Sequence, residues 1–311
     1  MKRVKNLITG GSGFIGSHLS KKLLSRGEKV ICLDNYLTSG RDNIEEFLSN
    51  PLFELINHDV KERIDLKVDN IWHLACPASP IDYQINPIET SRTIFLGTYN
   101  MLDLARRTNA KILFASTSEV YGDPQEHPQI ETYSGSVKTT GFRSCYEEGK
   151  RIAETLCSDF QRVYSVNIRI ARIFNTYGPN MRISDGRVIS NLIVQALKNK
   201  KLSIYGDGTQ TRSFCYVDDL INGLILLMGS NYQKPINLGN PEELSINKLA
   251  IIICNLIDQR LDIEYKSLPH DDPKRRNPCI QLAKEQLNWE PKVELKKGLI
   301  KTINWFKKIL E

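Results

Sequence analysis

The chain has 311 residues, 41% of them hydrophobic and 25% charged, with a formal net charge of +6. That length can bury one large or two modest domains, and the composition excludes a disordered, collagenous or disulfide-built protein. The positive charge is scattered, and its densest groups (Lys274-Arg275-Arg276 and Lys307-Lys308) are too short for a nucleic-acid stripe, although the surplus suits an anionic ligand.

In chain order, 4–9 reads as strand and 14–26 as amphipathic helix. Strands follow at 29–33, 52–56 and 71–75, a long helix at 86–108, a strand at 111–115, a helix at 146–164 and a strand at 167–173. Short apolar runs alternating with helical patterns predict a parallel sheet covered on both faces. The second half is less regular: helices at 186–199, 217–228, 245–257 and 295–309, with short strands at 202–205, 236–238 and 262–265. TYGPN (176–180) and DDPKRRNP (271–278) read as irregular loops.

Seven cysteines, at 32, 76, 145, 157, 215, 254 and 279, contain no Cys-x-x-Cys pair and are odd in number. They read as reduced, mostly buried thiols of a cytosolic enzyme. The histidines at 18, 58, 73, 127 and 270 form no ligand pattern, so no metal is expected. Glycines break the first apolar run too early for a signal peptide, and no stretch of roughly 18 apolar residues exists, so a cytoplasmic protein with no membrane span is expected.

The first strand runs into GGSGFIG, where Gly10, Gly13 and Gly16 are spaced Gly-x-x-Gly-x-x-Gly and Phe14 and Ile15 open the helix. Glycines there allow a tight turn and bring backbone N–H groups to a pyrophosphate at a helix N-terminus. The second strand ends in Asp34-Asn35, eighteen residues past Gly16. An acidic side chain at that place accepts hydrogen bonds from the adenosine ribose and repels a 2′-phosphate, favouring NAD over NADP; the plainer alternative is a loop cap. Asp59-Val60, after the third strand, is expected at the adenine, and Leu74, in the fourth, joins the cofactor set.

Two further stretches carry chemistry. In SCYEEGKR (144–151), Tyr146 and Lys150 stand four apart on a predicted helix and share a face. A neighbouring ammonium favours the phenolate, which can take a proton from a sugar hydroxyl while the adjacent carbon gives hydride to nicotinamide. In ASTSEVYG (115–122), a lone carboxylate, Glu119, ends a buried strand among hydroxyls, a place for charge that is paired or used.

Together GGSGFIG, ASTSEVYG and YEEGK resemble the extended short-chain dehydrogenase/reductase family, which includes nucleotide-sugar 4-epimerases, 4,6-dehydratases and decarboxylases. The resemblance implies a Rossmann-type doubly wound parallel sheet and a catalytic triad of Thr117, Tyr146 and Lys150. HLACPASP (73–80), STSEVYGDP (116–124), CYEEGKR (145–151), ARIFNTYGP (171–179), DGRV (185–188), YGDGTQTRSFCYVDD (205–219), PINLGNPEE (235–243) and DDPKRR (271–276) extend it over essentially the whole chain and resemble the UDP-glucuronate decarboxylase (UDP-xylose synthase) branch. That implies an NAD-binding Rossmann domain over 1–178, with about 214–240 returning to it, and a smaller α/β domain over 179–311 binding mainly the UDP-sugar.

The implied reaction oxidises C4 of UDP-glucuronate with bound NAD, loses carbon dioxide, protonates C5 and reduces C4 to give UDP-xylose. A 4,6-dehydratase carries an aspartate before the glutamate as acid for the leaving hydroxyl; here that residue is Ser118. Glu119 therefore points to C5 chemistry without a leaving-group acid. The resemblance places Arg276 near the glucuronate carboxylate, which a guanidinium fork suits. For the rest of the substrate it implies Asn175, with Arg187 and Arg212 at the diphosphate, Tyr205 at uracil or ribose, and Pro80 and Tyr83 at the sugar. Helices 86–108 and 146–164 match those the family uses in a homodimer. The chain departs from the branch at YSGSVKTTGFR (133–143), where a Trp and a Pro-containing loop are expected. The alternatives are a 4-epimerase, a decarboxylase that releases the ketone, and a silent dinucleotide sensor; intact Thr117, Tyr146 and Lys150 disfavour the sensor.

Overall fold

The computed structural model describes residues 3–268 and 275–311. The first half comprises β1 (Lys5–Thr9), α1 (Phe14–Ser25), β2 (Lys29–Asp34), β3 (Phe53–Asn57), β4 (Asn70–His73), α2 (Pro80–Ile85), α3 (Pro87–Thr108), β5 (Lys111–Thr117), α4 (Ser144–Tyr164) and β6 (Ile168–Ile173). There follow β7 (Thr176–Tyr177), α5 (Val188–Leu197), β8 (Leu202–Tyr205), β9 (Thr211–Ser213), β10 (Cys215–Tyr216), α6 (Val217–Gly229), β11 (Pro235–Leu238) and β12 (Glu243–Ser245). The last elements are α7 (Ile246–Ile257), β13 (Ile263–Lys266), β14 (Arg275–Arg276), α8 (Gln281–Leu287) and α9 (Leu295–Leu310).

Seven strands form one parallel sheet in the order β11-β6-β5-β4-β1-β2-β3. Successive residues of each strand point to opposite faces, so Leu7, Ile71 and Ile112 enter the core under α3 and α4, while Ile8, Trp72 and Leu113 enter the core under α1 and α6. Burial on both faces is why these strands read as apolar runs rather than alternating ones. Asn86 caps α3 by accepting from Glu89 N, and Asn109 (φ 55) and Ser165 (φ 57) end α3 and α4 in the left-handed region.

The chain turns back at β1, which lies between β2 and β4. Connections leave in opposite directions on either side, opening a crevice at the strands' carboxyl ends. There Thr9 pairs with His73 in register, Asp34 closes β2 and Thr117 closes β5. The C-terminal half adds three small sheets, β10-β7, β12-β9-β14 and β13-β8.

Several elements differ from expectation. TYGPN contains β7, which pairs in parallel with β10. The helix expected from 186 starts at Val188, because Gly186 has φ +83. α2, α8, β9, β12 and β14 are too short to show a period in sequence. Of the expected loop 271–278, residues 271–274 lie outside the described residues and 275–276 form β14.

Candidate active site

A cleft of about 230 Å³ opens at the carboxyl ends of the central strands. Gly10 stands at φ +70, and a Cβ there would lie 2.9 Å from Ala75 Cα. A Cβ on Gly16 would lie 2.2 Å from Gly10 O, so neither position takes a side chain without breaking the turn. Gly13 caps α1 with no side chain, leaving the first-turn N–H groups for an anion. Asp34 is anchored at the rim: Oδ2 accepts from Ser12 N at 3.0 Å and Oδ1 from Tyr36 N at 2.9 Å. Phe14, Ile15, Asn35, Val60 and Leu74 share the lining. This loop, helix end and fixed carboxylate fit a dinucleotide bearing a free ribose diol. Asp59 does not line the cleft; it accepts from Lys61 N and Asn35 Nδ2 and pairs with Lys61 Nζ at 3.5 Å.

Thr117, Tyr146 and Lys150 meet on the cleft wall. Lys150 Nζ donates to Ala115 O at 2.7 Å and lies 4.8 Å from the Phe114 ring centre and 5.8 Å from that of Tyr146. The sequence reading had Lys150 lowering the Tyr146 pKa. Instead burial dominates and pushes that phenol well above its ordinary value, with the Thr117 side chain and the Arg187 charge opposing it. Burial likewise pushes Lys150 down.

Glu119 enters the cleft from a single 3₁₀ turn, Ser118–Tyr121, at the end of β5. Thr117 Oγ1 accepts from Glu119 N at 3.2 Å and so fixes the turn. Glu119 Oε2 accepts from Arg143 Nη2 at 2.6 Å, and Oε1 lies 3.6 Å from Arg276 Nη1. Burial pushes this carboxyl up, but Arg143 and Arg276 outweigh it and hold the net value below the usual range. Arg143 Nε also reaches Glu147 Oε1 at 3.2 Å.

Arg276 is buried behind Glu119 rather than on the cleft lining. Its Nη2 donates to Gly122 O at 3.3 Å, and its Nε has no partner. Gln129 holds the adjoining segment: its Oε1 accepts from Asn277 N at 2.8 Å, its N–H donates to Asn277 O and its carbonyl accepts from Cys279 N.

Of the residues expected at the substrate, Asn175 and Arg187 line the cleft. Arg187 is gripped by Asp185 through both carboxylate oxygens at 2.5 and 2.6 Å and lies over the Phe14 ring. Pro80, Tyr83, Tyr205 and Arg212 lie off this lining. Tyr83 is fully buried and stacked on Tyr146, with ring centres 4.9 Å apart and an interplanar angle of 5°. Tyr205 is exposed on β8, and Arg212 stands on β9 opposite Arg276, donating to Thr211 O.

Arg143, Asp185 and the Arg182–Asp82 pair were missed. The Asp-Gly turn two residues before Arg187, and an arginine four before Glu147, were the available signals. Among the described residues no group of three His, Cys, Asp or Glu is arranged to hold a metal.

Residues 6–239 match the NAD dependent epimerase/dehydratase family. The chain is 54% identical over 306 residues to UDP-glucuronic acid decarboxylase 1 of Arabidopsis thaliana, covering 98% of this chain and 70% of that one. It is 53% identical over 309 residues to UDP-glucuronic acid decarboxylase 1 of Xenopus tropicalis, covering 99% and 73%. Among solved structures it is similar to a UDP-glucuronic acid 4-epimerase from Bacillus cereus in complex with UDP-glucuronic acid and NAD, at 28% identity and a TM-score of 0.89, covering 98% of this chain and all of that one.

Proposed function

The chain belongs to the NAD dependent epimerase/dehydratase family, and from that premise we propose that it is a UDP-glucuronate decarboxylase making UDP-xylose with its NAD retained through the turnover. Relatives named for that activity match almost every residue of the chain. The observation that carries the reading in the site itself is Glu119, ionised between Arg143 and Arg276 at the end of β5, with Ser118 where a dehydratase would place an acid.

Bound NAD supplies the oxidation of C4 and its later reduction. Gly10, Gly13, Phe14, Ile15 and Gly16 cradle its pyrophosphate, and Asp34 takes the ribose diol. Thr117 and Tyr146 hold the C4 hydroxyl, and Tyr146 takes its proton; the Lys150 and Arg187 charges favour the phenolate against burial. Arg276, from its place behind Glu119, lends its positive charge to the glucuronate carboxylate until that group leaves as carbon dioxide, and Glu119 orients the water that protonates C5. Asn175 and Arg187 take the diphosphate side. We assign 1–178, with about 214–240, to cofactor binding and the rest mainly to the UDP-sugar.

A second reading, 4-epimerisation of the same substrate, is favoured by the likeness to the Bacillus cereus enzyme. Product analysis separates the two: UDP-xylose and carbon dioxide support decarboxylation, and UDP-galacturonate supports the epimerase.

We further infer a homodimer. α3 leaves Ile88, Phe95 and Tyr99 exposed, and α4, packed beside it, leaves Ile152, Val163 and Tyr164 exposed, an apolar face suited to a second copy. Among the described residues no helix is long and apolar enough to cross a membrane. Seven free cysteines suit a reducing compartment, so we place the protein in the cytoplasm.

A further inference from the structure

The row of α4 that carries Tyr146 and Lys150 continues one turn further, to Glu154, so three side chains four residues apart share one face of the helix. The row meets the end of β5. Tyr146 shares the cleft wall with Thr117, Lys150 Nζ donates to Ala115 O at 2.7 Å, and Glu154 Oε1 accepts from Ser116 Oγ at 2.5 Å. Three successive strand residues are thereby matched to three successive turns of helix.

Glu154 is itself held from the sheet. Arg172 of β6 is the register partner of Ser116, so both side chains leave the sheet on the face that α4 covers. Arg172 Nε donates to Glu154 Oε1 at 3.0 Å and Nη2 to Oε2 at 2.8 Å, and the two side chains are only 12% and 13% exposed. A guanidinium fork on a carboxylate fixes direction as well as distance. The remaining arm, Nη1, donates to the Tyr121 hydroxyl and to Glu131 O, both at 2.9 Å. Tyr121 closes the 3₁₀ turn that carries Glu119, and its O–H donates to Asn237 Oδ1 at 2.8 Å. Asn237 Nδ2 donates in turn to Gln129 O and Cys279 O, beside the segment that follows Arg276.

Resting on the C4 and C5 steps of the proposed function, we propose that Arg172 and Glu154 are a positioning pair that sets the C4 machinery on α4 in place against the C5 machinery on the turn after β5. Neither residue lines the cleft, nor does Tyr121, so all three act through the groups they hold. Through Ser116 the pair fixes the row of Tyr146 and Lys150 against Thr117. Through Tyr121 the same guanidinium fixes the far end of the Glu119 turn. Helix and turn belong to different elements, and a displacement between them of about 1 Å costs on the order of 10²-fold in rate.

The test is a single turnover of the NAD-loaded protein on UDP-glucuronate, scaled to bound NAD, reading NADH appearance for C4 oxidation and UDP-xylose for the steps after it. Glu154→Gln sets an amide against the Arg172 fork and should slow C4 oxidation on the order of 10²-fold, with the Kd for UDP within about twofold. Ser116→Ala keeps the pair and cuts its tie to β5, so C4 oxidation should fall about tenfold. Tyr121→Phe keeps the pair and cuts its tie to the Glu119 turn. It should leave C4 oxidation within about twofold and slow UDP-xylose formation about tenfold. A lower melting temperature with both rates per bound NAD unchanged in Glu154→Gln overturns the proposal, as does equal slowing of both steps by Tyr121→Phe. Should Glu154→Gln not fold, normal rates in Ser116→Ala and Tyr121→Phe overturn it as well. Wild-type protein that does not oxidise UDP-glucuronate overturns the proposed function instead. The positioning role is then decided by exchange of the Gly122 amide, which bonds to Glu119 O at 3.0 Å. Exchange about tenfold faster in Tyr121→Phe supports it, and an unchanged rate overturns it.

Discussion

The Arg143 guanidinium lies 2.6 Å from the Glu119 carboxylate, with the two side chains only 8% and 14% exposed. This contact turns a lone strand-end carboxylate into a fixed anion. Removing Arg143 leaves that charge buried with only the longer Arg276 contact. Arg143→Ala should therefore cost about 3–5 kcal/mol of stability, measurable by urea unfolding, and raise the Glu119 pKa. A loss below about 1 kcal/mol would show the pair to be solvated.

The same contact sets an acid limb. The folded pKa of Glu119 lies below its unfolded value of about 4.3. Its contribution to stability is thus fully present above that value and is lost as pH falls through the folded pKa. The stability difference between wild type and Glu119→Gln should shrink as pH falls below about 4. A difference that stays constant would contradict an ionised Glu119.

Tyr83 and Tyr146 should separate packing from chemistry. Tyr146→Phe removes one hydroxyl from the cleft wall it shares with Thr117 and keeps the stack, so C4 oxidation should fall by at least about 10²-fold while the fold persists. The buried Tyr83 hydroxyl has no partner, so Tyr83→Phe should melt at or above the wild-type temperature. Tyr83→Ala should lose about 3–5 kcal/mol and most C4 oxidation, because it removes the ring under Tyr146.

Gln129 ties the segment after Arg276 to the loop after Glu119. Gln129→Leu leaves Asn277 N unpaired, at about 1–3 kcal/mol. It should also raise KM for UDP-glucuronate more than the Kd for UDP, which lacks the carboxylate. Equal changes in both would make Gln129 a purely structural tie.

Much of this was legible in sequence because it is local. The glycine loop, Asp34 at the end of β2, and Tyr146 and Lys150 one turn apart are short-range patterns that burial on both sheet faces makes strict. What sequence reasoning missed comes from distant segments meeting. Arg143 reaches Glu119 across 24 positions, and no period relates them. Tyr83 stands behind Tyr146 because α2 is a single short element whose direction tertiary packing sets. The sign of the Tyr146 shift was misread because helix spacing reports a neighbouring ammonium but not the depth of burial.

Cofactor choice rests on Asp34. Asp34→Ala frees Ser12 N and Tyr36 N and removes the charge that a 2′-phosphate would meet. The ratio of NADP to NAD affinity should rise about tenfold or more, roughly 1.4 kcal/mol, by titration of the stripped protein. An unchanged ratio would make Asp34 only a turn residue.

The central claim is tested most directly by incubating the purified protein with UDP-glucuronate, without added NAD, and following the sugar nucleotide by NMR. Conversion to UDP-xylose is the predicted result, since it requires decarboxylation, return of hydride to C4 and retained cofactor together. Formation of UDP-galacturonate, or no conversion even with NAD supplied, would contradict it.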